Sequence, residues 1–139
     1  MIFNRDRRYA HTFAICVHST HMALQQIEHV AENERMADCI DNCFHAAQAS
    51  EWCADSCIRM GDQELVRCIR LCRDVADVTT LHARFMARNA EYEAELAAVC
   101  ADLCEEAAAE CSRFDHEACV VCADVLDTCA ESCREMAAS

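Results

Sequence analysis

The stretch Cys53 to Cys72, CADSCIRMGDQELVRCIRLC, decides the fold. It holds two Cys-x-x-x-Cys pairs, Cys53/Cys57 and Cys68/Cys72, arranged as mirror images about Gly61-Asp62. Residues four apart lie on one face of a helix, about a turn from each other. Gly61, the single glycine of the chain, is the kind of residue that ends a helix in the left-handed conformation. A helical hairpin folded at Gly61 sets Cys53 beside Cys72 and Cys57 beside Cys68. Four thiols then form one compact group, open to a metal or to two disulfides.

Outward from this hairpin the same spacing recurs. The pattern predicts four helices: about Asn33 to Met60; Asp62, as a cap, to about Arg88-Asn89; Glu91 to Phe114; and, capped by Asp115, onward to about Met136. Their apolar seams read Cys39, Cys43, Ala46, Ser50, Cys53, Cys57; Cys68, Cys72, Val75, Thr79, His82; Ala97, Cys100, Cys104, Ala107, Cys111; and Cys119, Cys122, Leu126, Cys129, Cys133. Alternating steps of three and four define the a/d stripe that faces a bundle axis. Helices of similar length with short turns pack antiparallel as neighbours, so the expected fold is all-α: an antiparallel up-down four-helix bundle. Thirteen of the fourteen cysteines fall on the four seams, and Cys16 alone lies elsewhere. Residues 5 to 31 form an additional amphipathic helix, with Ala10, Phe13, Val17, Thr20, Leu24, Ile27 and Ala31 as its stripe. The expected division is therefore 1–32, an N-terminal helix, and 33–139, the cysteine-lined bundle.

Composition narrows the class. The chain has 139 residues, no proline and a formal charge of −13, and all 12 basic residues are arginine. One domain of this size buries a core without staples. An acidic surface argues against nucleic acid, which needs a basic footprint, and favours solubility and cations. No apolar run approaches the roughly 20 residues that cross a bilayer. The N-terminal stretch is interrupted by His11, His18 and His21, so it lacks the apolar region of a signal peptide. Disulfide frameworks belong to small secreted chains with weak cores. The expectation is a cytoplasmic protein of a reducing compartment.

One buried cysteine is an ordinary small core residue. Thirteen on four seams are not, because alanine or leucine would pack a bundle better and stacked thiols invite oxidation. Three chemistries compete. Soft thiolates select Cu(I), with zinc behind it, and pairs one turn apart suit low-coordinate Cu(I) bridged by two sulfurs. Structural zinc takes four ligands, usually with Cys-x-x-Cys spacing, found here only at Cys119/Cys122. Disulfide staples suit the first hairpin but leave Cys104 and Cys122 without clean partners. Thiol catalysis lacks a βαβ context and a polarised, partly exposed cysteine, so no catalytic residue is assigned.

The motifs CIDNC, CADSC, RCIRLCRDVAD, ARFMAR, CADLCEEAAAEC, FDHEAC and CAESCREM resemble the cysteine-rich four-helix-bundle copper storage proteins. The resemblance spans roughly Met36 to Met136. It implies storage of several Cu(I) ions inside the bundle, a homo-oligomer (often a tetramer), exchange with copper chaperones, and, without a signal peptide, the cytosolic form. Carried over residue by residue, the metal ligands are Cys39, Cys43, Cys53, Cys57, Cys68, Cys72, Cys100, Cys104, Cys111, Cys119, Cys122, Cys129 and Cys133. His116, with Met60, is placed by the resemblance near the open end, where ions enter.

Seam positions without cysteine set further expectations. Seven thiols lie within roughly 14 Å of the Gly61/Asp115 end and six lie roughly 15 to 30 Å below, at 1.5 Å rise per residue. Ser50, Val75 and Leu126 fall near the junction. Two thiol clusters separated by a partial apolar septum follow. His82, on the inward seam level with Cys39 and Cys133, is a candidate mixed Cys/His ligand. Trp52 points off the seam, and His11, His18, His21 and His29 read as solvated or interface residues.

Overall fold

The computed structural model describes residues 26–138. Most of the expected N-terminal helix, with Cys16, His11, His18 and His21, lies outside the described residues. Within them, a short helix α1 covers Glu28–Ala31. The long helices follow as α2 (Glu34–Met60), α3 (Val66–Ala87), α4 (Glu93–Cys111) and α5 (Glu117–Ala138), with a 3₁₀ turn at Gln63–Leu65.

Cross-helix side-chain pairs give the topology of the bundle, which begins at Arg35. Cys53 meets Cys119 while Cys39 meets Cys133, so α2 and α5 run antiparallel. Arg67 meets Glu110 while His82 meets Glu93, so α3 and α4 do too. Arg134 reaches back to Glu105 and Asp102, closing α5 on α4. Along the diagonal, Cys72 pairs with Cys122 and His82 with Cys133, so α3 and α5 are parallel. This is the up-down bundle that the seams predict. Every seam position is buried, from Cys39 to Cys57 on α2 to Cys119 to Cys133 on α5. Ala46, Ala97 and Ala107 are buried on the same seams as the sulfurs.

The connections are where sequence and structure part. Gly61 takes φ 68° and its N–H bonds to the Ile58 carbonyl at 3.2 Å, the helix-ending role expected of it. Asp62 caps a 3₁₀ turn rather than α3 itself: its carboxylate accepts from the Glu64 N–H at 3.0 Å, and α3 starts only at Val66. Asn89 ends α3 at φ 53°, with Asn89 N–H to Met86 O and Ala90 N–H to Phe85 O. That bond pair is a Schellman motif, which asparagine tolerates better than other side-chain-bearing residues. α4 therefore begins at Glu93 rather than Glu91 and ends at Cys111 rather than Phe114. At the start of α5 the His116 carbonyl, not that of Asp115, accepts the first helical bond, from the Val120 N–H at 3.0 Å.

Candidate metal centre

Helical periodicity aims the thiols inward, and the bundle stacks them in two sets. Near the Gly61 end, Cys53, Cys57, Cys68 and Cys119 place their sulfurs within 4.8 Å of one another, and so do Cys53, Cys68, Cys72 and Cys111. Cys122 joins this set through Cys72, at 4.0 Å. At the other end, Cys43, Cys100, Cys129 and Cys133 form one group, and Cys39, Cys43, Cys133 and His82 form another. Cys104 belongs here through its contact with Cys100 and Cys129. The upper and lower groups share no residue. Between them lie Val75 and Leu126, both fully buried, and Ser50, whose hydroxyl lies 4.0 Å from the Cys122 sulfur.

The mirror-related thiols of the first hairpin do come within 4.8 Å of each other, but each group draws its fourth sulfur from the second hairpin. Cys119 sits 3.8 Å from Cys53 and 3.6 Å from Cys57; Cys111 sits 3.4 Å from Cys68 and 3.7 Å from Cys72. All thirteen described cysteines are free thiols. A sulfur with several near neighbours at this spacing is disposed to share ions among many thiolates rather than to pair with one partner.

Burial and mutual hydrogen bonding divide the thiols into two kinds. S–H donation from Cys133 and Cys43 pulls Cys39 down to about 4, against the desolvation that opposes it. Cys53, Cys68, Cys100 and Cys122 are likewise lowered by neighbouring thiols. Their donors are held protonated: Cys43 and Cys72 are raised by the thiols around them, and burial first of all pushes Cys57 up to about 12. Each metal-free set thus holds lowered and raised thiols in contact, and an entering cation replaces the shared protons.

His82 is fully buried. Its Nδ1 lies 3.6 Å from both Cys43 and Cys133, and its Nε2 lies 2.7 Å from Glu93. Burial alone would lower its pKa, but Cys100 and the Glu93 carboxylate outweigh that and hold it up at about 9. His116 lies in the connector before α5, half-buried, its ring stacked on Phe114 and outside the four thiol groups. Met60 is exposed at the end of α2, and Trp52 is exposed off the seam as expected.

Two acidic residues carry roles that periodicity does not reveal. Glu93 is the partner of His82. Glu110, only 5 % exposed, accepts from Arg67 across the α3–α4 interface and from Arg113 beside it. An acid in a first turn reads as a dipole partner, and a glutamate in a run such as EEAAAEC reads as solvated. Only the helix rotation and the distant partner mark either as special.

Comparison with known proteins follows the same geometry. A family model described as "Copper storage protein" matches residues 32–138. A cysteine-rich protein of Bacillus subtilis, YhjQ, is 40 % identical over 101 residues, covering 72 % of this chain and 94 % of its own. The Cu(I)-bound copper storage protein BsCsp3 superposes with a TM-score of 0.71 at 38 % identity, over 74 % of this chain and 98 % of its own. The copper storage protein Ccsp of Streptomyces lividans, loaded with 10 copper equivalents, gives 0.70 at 36 % identity, over 76 % and 85 %.

Proposed function

The chain belongs to the copper storage protein family, and from that premise we propose that it takes up several Cu(I) ions on the thiolates inside its bundle and stores or buffers them. The observation that carries this reading is the burial of all thirteen described cysteines in two sets, within each of which the thiols contact one another. Thiolate sulfur selects Cu(I) over harder ions, and the arrangement offers bridging positions rather than isolated pairs.

Charge sets the capacity. A Cu(I) held by two terminal thiolates leaves one buried negative charge, and each ion displaces two protons. If every thiolate bridges two ions, the charges cancel at one copper per sulfur. A buried interior favours the neutral arrangement. The bundle's capacity is then about one ion per thiol, near thirteen.

All thirteen seam cysteines, with His82 and His116, are the ligands and entry residues of this reading. His116 and Met60 stand at the Gly61 end, the entrance. The solved relatives BsCsp3 and Ccsp are copper storage proteins, and the chain is read as one rather than as an enzyme. No helix among the described residues is long and apolar enough to cross a membrane. A cytoplasmic site, like that of the cytosolic Streptomyces lividans relative, fits the reducing conditions that free thiols need. Copper chaperones are the exchange partners of this reading. A homo-oligomer, a tetramer by resemblance, accords with exposed Phe44 and Trp52 on α2 and Val120 and Val121 on α5.

The test is an anaerobic Cu(I) titration against a tight chromophoric chelator, paired with mass spectrometry after alkylation without reductant. Uptake of many ions and thirteen or more alkylatable thiols after metal stripping are the expected results. No uptake, or two or more disulfides in freshly purified protein, would contradict the reading.

A further inference from the structure

At the lower end of the bundle one group differs in kind from the other three. Cys39, Cys43 and Cys133 supply three sulfurs and His82 supplies a nitrogen, all buried and all within 4.8 Å of one another. The geometry points to a tetrahedral site for one divalent cation of the zinc class on these four residues, with Glu93 as the carboxylate that positions the imidazole. It uses thiols that the storage reading assigns to copper.

Distances come first. Zinc bonds sulfur at about 2.3 Å and histidine nitrogen at about 2.0 to 2.1 Å, so a regular tetrahedron has S···S edges of about 3.8 Å and S···N edges of about 3.5 Å. The corresponding separations are 4.0 Å for Cys39···Cys133 and 3.6 Å for each of Cys43···Nδ1 and Cys133···Nδ1. Along these three edges an ion needs shifts of a few tenths of an ångström, and the remaining three edges lie within 4.8 Å. The other three groups also have sulfurs at such spacings, but they offer only thiols; here Cys43 and Cys133 are shared with the Cys100/Cys129 group, and the imidazole is what sets the four apart.

The second observation is the outer partner. Glu93 Oε1 lies 2.7 Å from His82 Nε2. A carboxylate there accepts the Nε2–H hydrogen bond, so that once a cation displaces the Nδ1 proton the Nδ1 lone pair faces the three thiols. Metal-ligating histidines have this arrangement almost without exception, and the outer carboxylate fixes the ring and its tautomer. A histidine serving only as core filler has no need to turn its free nitrogen into a nest of sulfurs.

Charge separates the two kinds of ion. Binding starts from the Cys39 thiolate, the Cys43 and Cys133 thiols and the His82 imidazolium, net neutral, and a dication gives a complex of charge −1 with three protons released. A single Cu(I) on the same four donors would leave −2 in the interior, and two-coordinate Cu(I) does not use four donors. Burying the smaller charge is the cheaper outcome. Imidazole is also a borderline donor that suits zinc, whereas the all-sulfur groups suit Cu(I). The bundle therefore carries one position for a divalent ion at the end remote from Gly61, beneath the copper-selective sulfurs.

Co(II) reads this site directly, because tetrahedral thiolate-bound cobalt absorbs strongly in the visible and octahedral cobalt does not. The full-length, reduced, metal-free protein is titrated anaerobically with Co(II), then with Zn(II). The first Co(II) equivalent gives tetrahedral ligand-field bands with sulfur-to-cobalt charge transfer, and one equivalent of Zn(II) bleaches them. His82→Ala removes that equivalent. Glu93→Gln, which alters the rim rather than the core, weakens it about 10- to 100-fold. Cys57→Ser/Cys119→Ser, in the upper set, leaves it intact. An octahedral spectrum in the parent protein overturns the site. So does a first equivalent unaltered in a folded His82→Ala protein, or an unaltered affinity in Glu93→Gln. Cu(I) uptake is measured in parallel: cobalt binding without Cu(I) uptake would sink the storage reading alone, and the reverse would sink this site alone.

Discussion

Leu126→Ala probes the layer between the two thiol sets. Leu126 is fully buried, and with Val75 it supplies the bulk of an otherwise small-residue seam at that level. Truncation removes its transfer free energy and leaves a void that flanking helices, pinned by ion pairs such as Arg67–Glu110, fill only in part. Buried Leu→Ala changes of this kind cost about 2 to 5 kcal/mol. At this chain length a kcal/mol moves Tm by about 4 °C, so the metal-free protein should melt roughly 8 to 20 °C lower. The assay is urea unfolding of the reduced, metal-free protein followed by helical circular dichroism, with the m-value checked for constancy. Cu(I) capacity should not change, because leucine offers no donor, and loading should narrow the gap by stabilising only the folded chain. A loss below about 1 kcal/mol would refute the close-packed septum.

Other consequences are as direct. His82 is held at about 9 against an ordinary 6.5, so its contribution to stability is complete below pH 6.5 and is lost as pH rises through 9. The metal-free protein should weaken across that window by on the order of 3 kcal/mol, and by less in Glu93→Gln, as read by urea midpoints at stepped pH. Glu110→Gln removes the charge from two hydrogen bonds, to Arg67 and Arg113; calorimetry should show a loss of about 1 to 3 kcal/mol. Asn89→Ala should destabilise by about 1 kcal/mol at its left-handed φ, while Asn89→Gly should be neutral or better, measured by thermal melts.

Much of this was legible in the sequence, for a physical reason. Cysteine placement obeys the helical period, and the period alone fixes which faces meet. Hence the buried seams, the hairpin at Gly61, the two-level split and the alignment of His82 with Cys39 and Cys133 could be read before any coordinates. Details set by turn geometry could not. Asn89 supplies a left-handed cap that glycine would have advertised, and the 3₁₀ turn after Asp62 delays α3 by most of a turn. Helix rotation hid the rest. The first hairpin's symmetry implies a self-contained quartet, but Cys111 and Cys119 enter it from α4 and α5. Nothing in the spacing from His82 to Glu93 announces their bond, which exists because α3 and α4 are joined by a tight Schellman turn.

The central claim is that Cu(I) resides on two thiolate sets divided by Ser50, Val75 and Leu126. A crystal of Cu(I)-loaded protein, with copper located by anomalous scattering, tests it most directly. One group of ions is expected among Cys53, Cys57, Cys68, Cys72, Cys111, Cys119 and Cys122, a second among Cys39, Cys43, Cys100, Cys104, Cys129 and Cys133, and a copper-free layer between. One continuous column of copper through the level of Leu126, or a bundle without copper, would contradict it.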